Sequence, residues 1–115
     1  MNVDITNDSR ILIVKISGDI DHHTSEDIRM KAEKELSKLN CRDMIFDFTD
    51  VSFMDSSGIG MIIGRYKSLD KLGGKVAVSN INKSVFRIFE MSGLHKIIAT
   101  FDTVEAAIKS LNVEI

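Results

Sequence analysis

The sequence predicts a single α/β domain in which a small mixed, largely parallel β-sheet packs against about four helices. Three observations lead to this prediction. The 115 residues suit one domain, short β-branched apolar runs alternate with longer helical patterns, and the chain has no proline that would mark a linker. The apolar fraction of 43% and the charged fraction of 28% are close to globular averages. We therefore expect one domain over residues 1–115, in the order ββαβαβαβα.

The first half of the chain predicts three strands and one helix. Residues 11–16 are a short β-branched run typical of a buried strand, and residues 2–6 predict a weaker strand that pairs with it across a polar turn. Apolar residues at helical spacing predict an amphipathic helix over 25–39, and Thr24 is its expected N-terminal cap. Residues 44–48 predict the next strong strand.

The second half of the chain predicts three helices and two strands. In order, these are a helix over 59–72, a strand over 76–78, a helix over 83–91, an edge strand over 96–99, and a last helix that begins after Asp102 or Thr103. Alternation of this kind is typical of parallel crossover connections.

Charge and cysteine content exclude several classes of function. The net charge of −2 and the pI of about 5.9 argue against a dedicated nucleic-acid binder. The one cysteine, Cys41, cannot form an internal disulfide or a zinc site of paired cysteines, so we expect a plain thiol in a reducing compartment. No apolar run approaches the ~18 residues of a membrane helix, and the N-terminus lacks the pattern of a signal peptide. We expect a soluble, cytoplasmic protein without a membrane partner.

The most informative segment is the polar corner, residues 55–58 (DSSG), which lies between a predicted strand and a predicted helix. Functional sites of α/β folds usually lie at such carboxyl ends of strands. Asp and Ser are preferred helix N-caps, so capping alone is one interpretation. One cap does not need three candidates, however. If Asp55 or Ser56 is the cap, Ser57 lies in the first turn with its hydroxyl free.

A serine at this position is well placed for phosphorylation. Phosphate adds about −1.5 to −2 charges, and a helix N-terminus favours negative charge, so the fold should tolerate the modification. A partner pressed against the corner should not, and Asp55 would add repulsion. Ser56 and Ser57 are adjacent, and capping favours Ser57 as the modified residue.

A second polar segment, residues 18–24 (GDIDHHT), precedes the first predicted helix. Its two acids and two histidines suggest a metal site, but the ligands are crowded into one loop without a distant cluster. A polar loop capped by Thr24 is the favoured interpretation. The loop leaves the carboxyl end of its strand, so we expect it to share a face with the polar corner and to form a composite docking surface.

Several motifs are near misses. The glycines of residues 58–64 miss the dinucleotide fingerprint by one residue, and we expect Gly60 and Gly64 to let the helix approach the sheet closely. Residues 73–75 lack the other elements of a P-loop, and no G-x-S-x-G elbow is present. No catalytic set can be assembled, so we expect no enzymatic activity and no cofactor. Basic side chains predict a solvated outer face on the second helix: Arg65, Lys67, Lys71 and Lys75.

Four segments together resemble a known family. Residues 53–60 (FMDSSGIG) and 64–67 (GRYK) are similar to the phosphorylation corner of STAS domains, and more narrowly of bacterial anti-sigma factor antagonists. Residues 18–24 and 89–98 (FEMSGLHKII) match as well. The resemblance covers nearly the whole chain and is closest to the sporulation-type antagonists. It implies the fold of a single STAS domain.

The resemblance also implies a cycle. An unphosphorylated antagonist binds an anti-sigma factor that is also an ATP-dependent serine kinase, and a sigma factor is released. The kinase then phosphorylates the second serine of the corner, here Ser57. The phosphorylated form dissociates, and a serine phosphatase then removes the phosphate and restores the unphosphorylated antagonist. Asp21 falls on a family position associated with partner binding.

The expected partner-binding residues lie in the two polar segments and at the start of the second helix: Asp21, His22, Thr24, Asp55, Ser56, Ser57, Gly58 and Ile59. Three alternatives stay open. The chain could antagonise regulation of a different, stress-response sigma factor, it could be a nucleotide-binding or enzymatic protein that uses the Ser56/Ser57 corner, or it could be a structural subunit of a larger signalling assembly. No direct nucleic-acid partner is expected.

Overall fold

A computed structural model describes residues 1–112, which form one five-stranded sheet with helices on both faces. The strands are β1 (Asn2–Asp8), β2 (Ile11–Ser17), β3 (Asp43–Asp50), β4 (Val76–Ser79) and β5 (Ala99–Phe101), and the helices are α1 (His22–Lys38), α2 (Ser56–Asp70), α3 (Lys83–Ser92) and α4 (Val104–Leu111). The spatial order is β1-β2-β3-β4-β5, and only the β1–β2 pairing is antiparallel in this part of the chain. The predicted mixed, largely parallel α/β sheet is confirmed.

The sheet separates two hydrophobic cores because successive strand residues point to opposite faces. On one face, Phe46 and Val78 belong to the larger core, which also contains the apolar residues of α1, α2 and α3. On the other face, Ile45 and Ala77 pack with α4. Strand β3 lies at the centre and is buried from residue 43 to residue 48. Its near-continuous apolar run is typical of a parallel strand covered on both sides.

Helix α1 begins at His22, earlier than predicted, and its N-cap is Asp21 rather than Thr24. The Asp21 carboxylate accepts the backbone N–H of Thr24 at 3.0 Å, and the Thr24 hydroxyl accepts the backbone N–H of Asp21 at 2.8 Å. This reciprocal pair is a capping box. Thr24 therefore lies within the first turn, where it completes the cap that Asp21 begins.

The edge strand predicted over residues 96–99 is present as β5 but begins later, at Ala99. The left-handed Gly93, with a φ of 79°, ends α3, and a 3-10 turn follows over Leu94–Lys96. The backbone N–H of Ile98 donates to the carbonyl of Leu94 at 2.9 Å, which keeps the segment coiled. Strand pairing begins only at Ala99, whose partner on β4 is Ala77.

The basic outer face of α2 is smaller than predicted. Lys67, Lys71 and Lys75 are exposed, as expected, but Arg65 is buried and pairs with Glu33 on α1. Burial lowers the pKa of Arg65 by penalising its charge, and Glu33 opposes that effect. Arg65 thus joins the two helices that flank the polar corner.

The close approach of helix α2 occurs at Gly58 rather than at Gly60 and Gly64. A Cβ atom at Gly58 would overlap the buried side chain of Met54 and touch Ile20, whereas a Cβ atom at Gly60 or Gly64 would meet nothing within 4 Å. The expectation for Gly60 and Gly64 is therefore wrong. The first turn of the helix touches the loops, and its middle does not need glycine for packing.

Substitution of Gly58 by alanine tests this contact. We expect Gly58→Ala to lower the free energy of unfolding by about 1–3 kcal/mol, because the methyl group overpacks the space filled by Met54. Gly64→Ala is the matched control in the same helix and should raise that free energy by about 0.5–1 kcal/mol, since alanine is the better helix former. Urea unfolding of both variants measures the difference, and equal midpoints would contradict the contact.

Candidate functional site

The loops after β2 and β3 lie side by side at the carboxyl edge of the sheet. Ile20 and Met54 form an isolated parallel bridge. The backbone N–H of Ile20 donates to the carbonyl of Phe53 at 2.9 Å, and the N–H of Asp55 donates to the carbonyl of Ile20 at 3.0 Å. The structure therefore brings the two polar segments together, as the sequence predicted.

Asp55 is the N-cap of α2 and accepts the backbone N–H of Ser57 at 2.9 Å. The Ser57 hydroxyl donates to the same carboxylate oxygen, and its Oγ lies 3.3 Å from the Oγ of the buried Ser25 on α1. The prediction of a free hydroxyl is wrong, because the second position of α2 places the side chain beside both its own cap and the neighbouring helix. The corner therefore caps helix α2 through Asp55 and also holds the hydroxyl of Ser57 in a fixed position.

The two adjacent serines occupy different environments. Ser56 is exposed at the first position of α2, whereas Ser57 is half-buried. The hydroxyl of Ser57 is held in a defined position by Asp55 and Ser25. A side chain held in this way presents its oxygen in one direction, at the edge of a groove between α1 and α2.

The other expected partner-binding residues divide into exposed and buried groups. Asp21 and His22 are exposed, and Thr24 is half-buried within the capping box. Gly58 and Ile59 are buried, and Ile59 is only 8% exposed. These two residues therefore support the exposed side chains of the surface and offer little area for direct contact with a partner.

A polar groove of about 380 Å³ opens beside Ser57 between α1 and α2. Its lining residues are His22, Ser25, Glu26, Arg29, Ser57, Gly60 and Met61. Arg29 pairs with Glu26 through Nε and Nη2 and with Glu33 through Nη1. The hydrogen bonds and charge of Glu26 hold the pKa of Arg29 above its ordinary value, and Arg29 lowers the pKa of Glu26 in return.

An apolar groove of about 440 Å³ lies on the other side of the polar corner. Its lining includes Phe53, Ile59, Ile88 and Met91, together with the corner residues Asp55 and Ser56. Phe53 is 52% exposed and Met91 is 81% exposed. Large apolar side chains exposed side by side are typical of protein interaction surfaces.

Sequence reasoning did not identify the residues of these two grooves as a set. Ser25, Glu26 and Arg29 share one face of α1, but their approach to Ser57 requires the packing of α1 on α2. Phe53 and Met91 come from distant parts of the chain. The sequence feature that could have identified these two residues is that neither fits the apolar periodicity of its neighbouring strand or helix.

Neither a metal site nor a membrane helix appears in the part of the chain that the structure describes. No group of three or more His, Cys, Asp or Glu side chains within residues 1–112 is placed to hold a metal ion. Over the same residues, no helix is both long and apolar enough to cross a membrane. The segment over residues 18–24 forms the capped loop described above. Cys41 is a half-buried free thiol, and burial raises its pKa.

Comparison with known proteins gives consistent matches along the chain. The family model described as the STAS domain matches residues 2–107. An anti-sigma F factor antagonist from Paenibacillus polymyxa is 37% identical over 113 residues, which cover 98% of this chain and 97% of that protein. An anti-sigma-B factor antagonist from Bacillus subtilis is 33% identical over 98 residues, covering 85% of this chain and 88% of that protein.

The structures of the anti-sigma factor antagonist SpoIIAA are also similar. Its unphosphorylated form superposes with a TM-score of 0.85 at 28% identity and covers 99% of both chains. The structure of SpoIIAA described as the phosphorylated form has a TM-score of 0.76 at 28% identity, covering 96% of this chain and all of that one.

The capping box predicts a pH dependence that belongs to Asp21. Its carboxylate accepts the backbone N–H of Thr24, which holds the pKa below its ordinary value of 3.8. The stabilisation is therefore complete above that value and is lost as the pH falls through the lower pKa of the folded protein. Asp21→Asn keeps a capping oxygen but does not titrate.

We therefore expect the urea midpoint of the wild type to exceed that of Asp21→Asn by a constant amount near pH 5 and by progressively less towards about pH 3. A difference between the two proteins that is independent of pH would contradict the assignment.

Proposed function

The chain belongs to the STAS domain family, and on this premise we propose that it is an anti-sigma factor antagonist. In its unphosphorylated form it binds an anti-sigma factor that is also a serine kinase, and this binding releases a sigma factor. Phosphorylation of Ser57 switches the binding off. The observation that supports this proposal most directly is the position of Ser57, at the start of a helix on the face where the two loops meet.

The chemistry assigned to Ser57 is attack of its Oγ on the γ-phosphorus of ATP held by the partner. The bond from the γ-phosphorus to its bridging oxygen breaks, ADP leaves, and the hydroxyl proton passes to a base. Asp55 already accepts that proton in a hydrogen bond, so the serine oxygen is oriented before the partner arrives. This chain supplies the substrate serine, and the partner supplies ATP and the catalytic groups.

The phosphate acts as a switch through charge, without refolding. It brings about −1.5 to −2 charges into a corner that already contains the carboxylate of Asp55. A partner that covers the corner would have to remove water from both groups, which is costly without matching cations. A hundredfold loss of affinity corresponds to about 2.7 kcal/mol, which such a dianion readily supplies.

The apolar groove supplies the attractive part of the same surface. Phe53 and Met91 are exposed immediately beside the corner residues Asp55 and Ser56. Exposed apolar side chains that become covered on binding usually contribute most of the affinity, and the polar surroundings contribute specificity. The proposed interface therefore pairs an apolar anchor with a charge-sensitive corner.

The proposed partners and setting follow from this cycle. An ATP-dependent anti-sigma kinase binds and modifies the chain, a serine phosphatase resets it, and both reactions take place in the cytoplasm, where sigma factors act. The chain itself performs no catalysis. A second candidate is antagonism at a different sigma factor, which is supported by the 33% identity to the anti-sigma-B factor antagonist. Binding measured against anti-sigma partners of both kinds distinguishes the two.

Phosphate mapping tests the assignment of Ser57. The protein is incubated with MgATP and its anti-sigma kinase, and the phosphate is located by fragmentation mass spectrometry. We expect one phosphate on Ser57, none in Ser57→Ala, and normal modification of the adjacent control Ser56→Ala. The phosphorylated protein should bind its partner about a hundredfold more weakly. If verified phospho-protein bound its partner with unchanged affinity, phosphorylation would not be the switch. A phosphate found on Ser56 would contradict the assignment of Ser57 as the modified residue.

Alanine substitution of exposed apolar residues tests the anchor. Met91→Ala should weaken binding of the unphosphorylated protein at least tenfold, since each tenfold loss is about 1.4 kcal/mol and buried anchors commonly contribute more. Leu72→Ala is the matched control, because both side chains are 81% exposed and Leu72 lies beyond the far end of α2. Calorimetric titration with the anti-sigma partner measures both. Equal affinities for the two variants would place the anchor elsewhere.

A further inference from the structure

We propose that the polar groove between α1 and α2 is an internal receptor for the phosphate of phosphorylated Ser57, in which Arg29 exchanges its contact with Glu26 for the phosphate. The inference rests on the proposed modification of Ser57 and adds what happens to the phosphate afterwards. The groove then determines where the new charge lies in the free protein.

Phosphorylation removes a hydrogen-bond donor from Ser57. In the unmodified protein the Ser57 hydroxyl donates to Asp55, but a phosphate ester has no proton on that oxygen. The carboxylate would then face a dianion at short range, so the phosphate must turn away from Asp55. On the other side of Ser57, the hydroxyl of Ser25 lies 3.3 Å from Oγ and can donate a hydrogen bond towards the groove.

The groove beside Ser57 has room for a phosphate group. The groove has a volume of about 380 Å³, whereas a water molecule occupies about 30 Å³ of liquid. A phosphate group needs only a few times the volume of one water molecule. It therefore fits beside Ser57 without displacing either helix.

Arg29 is hydrogen-bonded in a way that suits an exchange of partners. This residue follows Ser25 by one helical turn on the same face of α1, a separation at which side chains are neighbours. Its Nη1 is held by Glu33 at 3.2 Å, while Nε and Nη2 together bind Glu26. That second edge of the guanidinium is the one suited to bidentate binding of phosphate.

When Arg29 exchanges Glu26 for the phosphate, most of the charged groups involved keep a partner. Glu33 continues to hold Nη1 of Arg29 and also pairs with Arg65, so the guanidinium stays anchored while its other edge changes partner. Glu26 is exposed and returns to water. A dianion competes well with a single carboxylate for the same donors, since hydrogen bonds between ionised groups are the strong ones.

Charged groups of both signs surround the position of the phosphate. Asp55 and Glu26 repel it and Arg29 attracts it, while Arg65 is near enough to act on the charge of Glu26 and is itself paired with Glu33. Helix α2 lines the groove only with uncharged residues, Gly60 and Met61, besides Ser57 itself. Neutralising the cation Arg29 and neutralising the anion Glu26 should therefore shift the titration midpoint of the phosphate in opposite directions.

The experiment places phosphoserine at position 57 during translation, so that no kinase is needed, and follows the second ionisation of the phosphate by ³¹P NMR. Arg29→Gln should move the titration midpoint up by about half a pH unit, because a cation that stabilises the dianion is lost. Glu26→Gln should move it down, because a competing anion is lost. Lys31→Gln is the control, since Lys31 pairs with Asp27 and does not line the groove, and it should leave the midpoint unchanged.

The series is repeated with His22→Gln, because the imidazole of His22 lines the same groove. The opposite shifts from Arg29→Gln and Glu26→Gln should persist in that background. Midpoints that stay the same in all variants, with circular dichroism showing an intact fold, would overturn the receptor and leave the phosphate in solvent.

The outcome is separable from the proposed function. Partner binding that is lost on phosphorylation, with an unmoved midpoint, would retain the switch and overturn the groove. Shifted midpoints with unchanged partner binding would retain the groove and overturn the switch.

Discussion

The parallel bridge between Ile20 and Met54 is the contact on which the site depends. It joins the loop after β2 to the loop after β3, and it places the N-termini of α1 and α2 next to each other. The hydroxyls of Ser25 and Ser57 meet across this junction because both helices begin at the same edge of the sheet. Gly58 allows the approach, since any side chain there would occupy the space of Met54. Without this junction, Ser57 would be an ordinary residue in the first turn of a helix.

Much of the fold was predictable because local patterns decide it. Alternation of apolar runs with helical periods predicted the strand and helix order, and Thr103 was among the expected caps of α4 and is confirmed. The wrong predictions depend on partners distant in sequence or on reciprocal hydrogen bonds. Thr24 was assigned as the cap because its hydroxyl suits that role. In the structure Asp21 is the cap, and the Thr24 hydroxyl accepts a hydrogen bond from the Asp21 backbone. Arg65 was assigned to a solvated face because nothing local indicates Glu33 as its partner.

The candidate site was predictable in part. The two polar segments were expected to share a face, since loops that follow parallel strands meet at one edge of a sheet. The state of the Ser57 hydroxyl could not be deduced, because it depends on Ser25 in another helix. The apolar groove was likewise out of reach, because Phe53 and Met91 belong to different elements that meet only in the folded chain. Resemblance to a family indicated the surface, and the packing of helices gives its chemical detail.

The engagement of Ser57 with Asp55 and Ser25 also has a consequence for timing. A kinase docked on this surface meets a hydroxyl whose proton already points to Asp55, so an oxygen lone pair is available without rotation of the side chain. Less conformational freedom then has to be lost on the way to the transition state, which lowers the activation free energy of phosphate transfer. The rate of modification is therefore determined in part by two side chains of the substrate and not by the kinase alone.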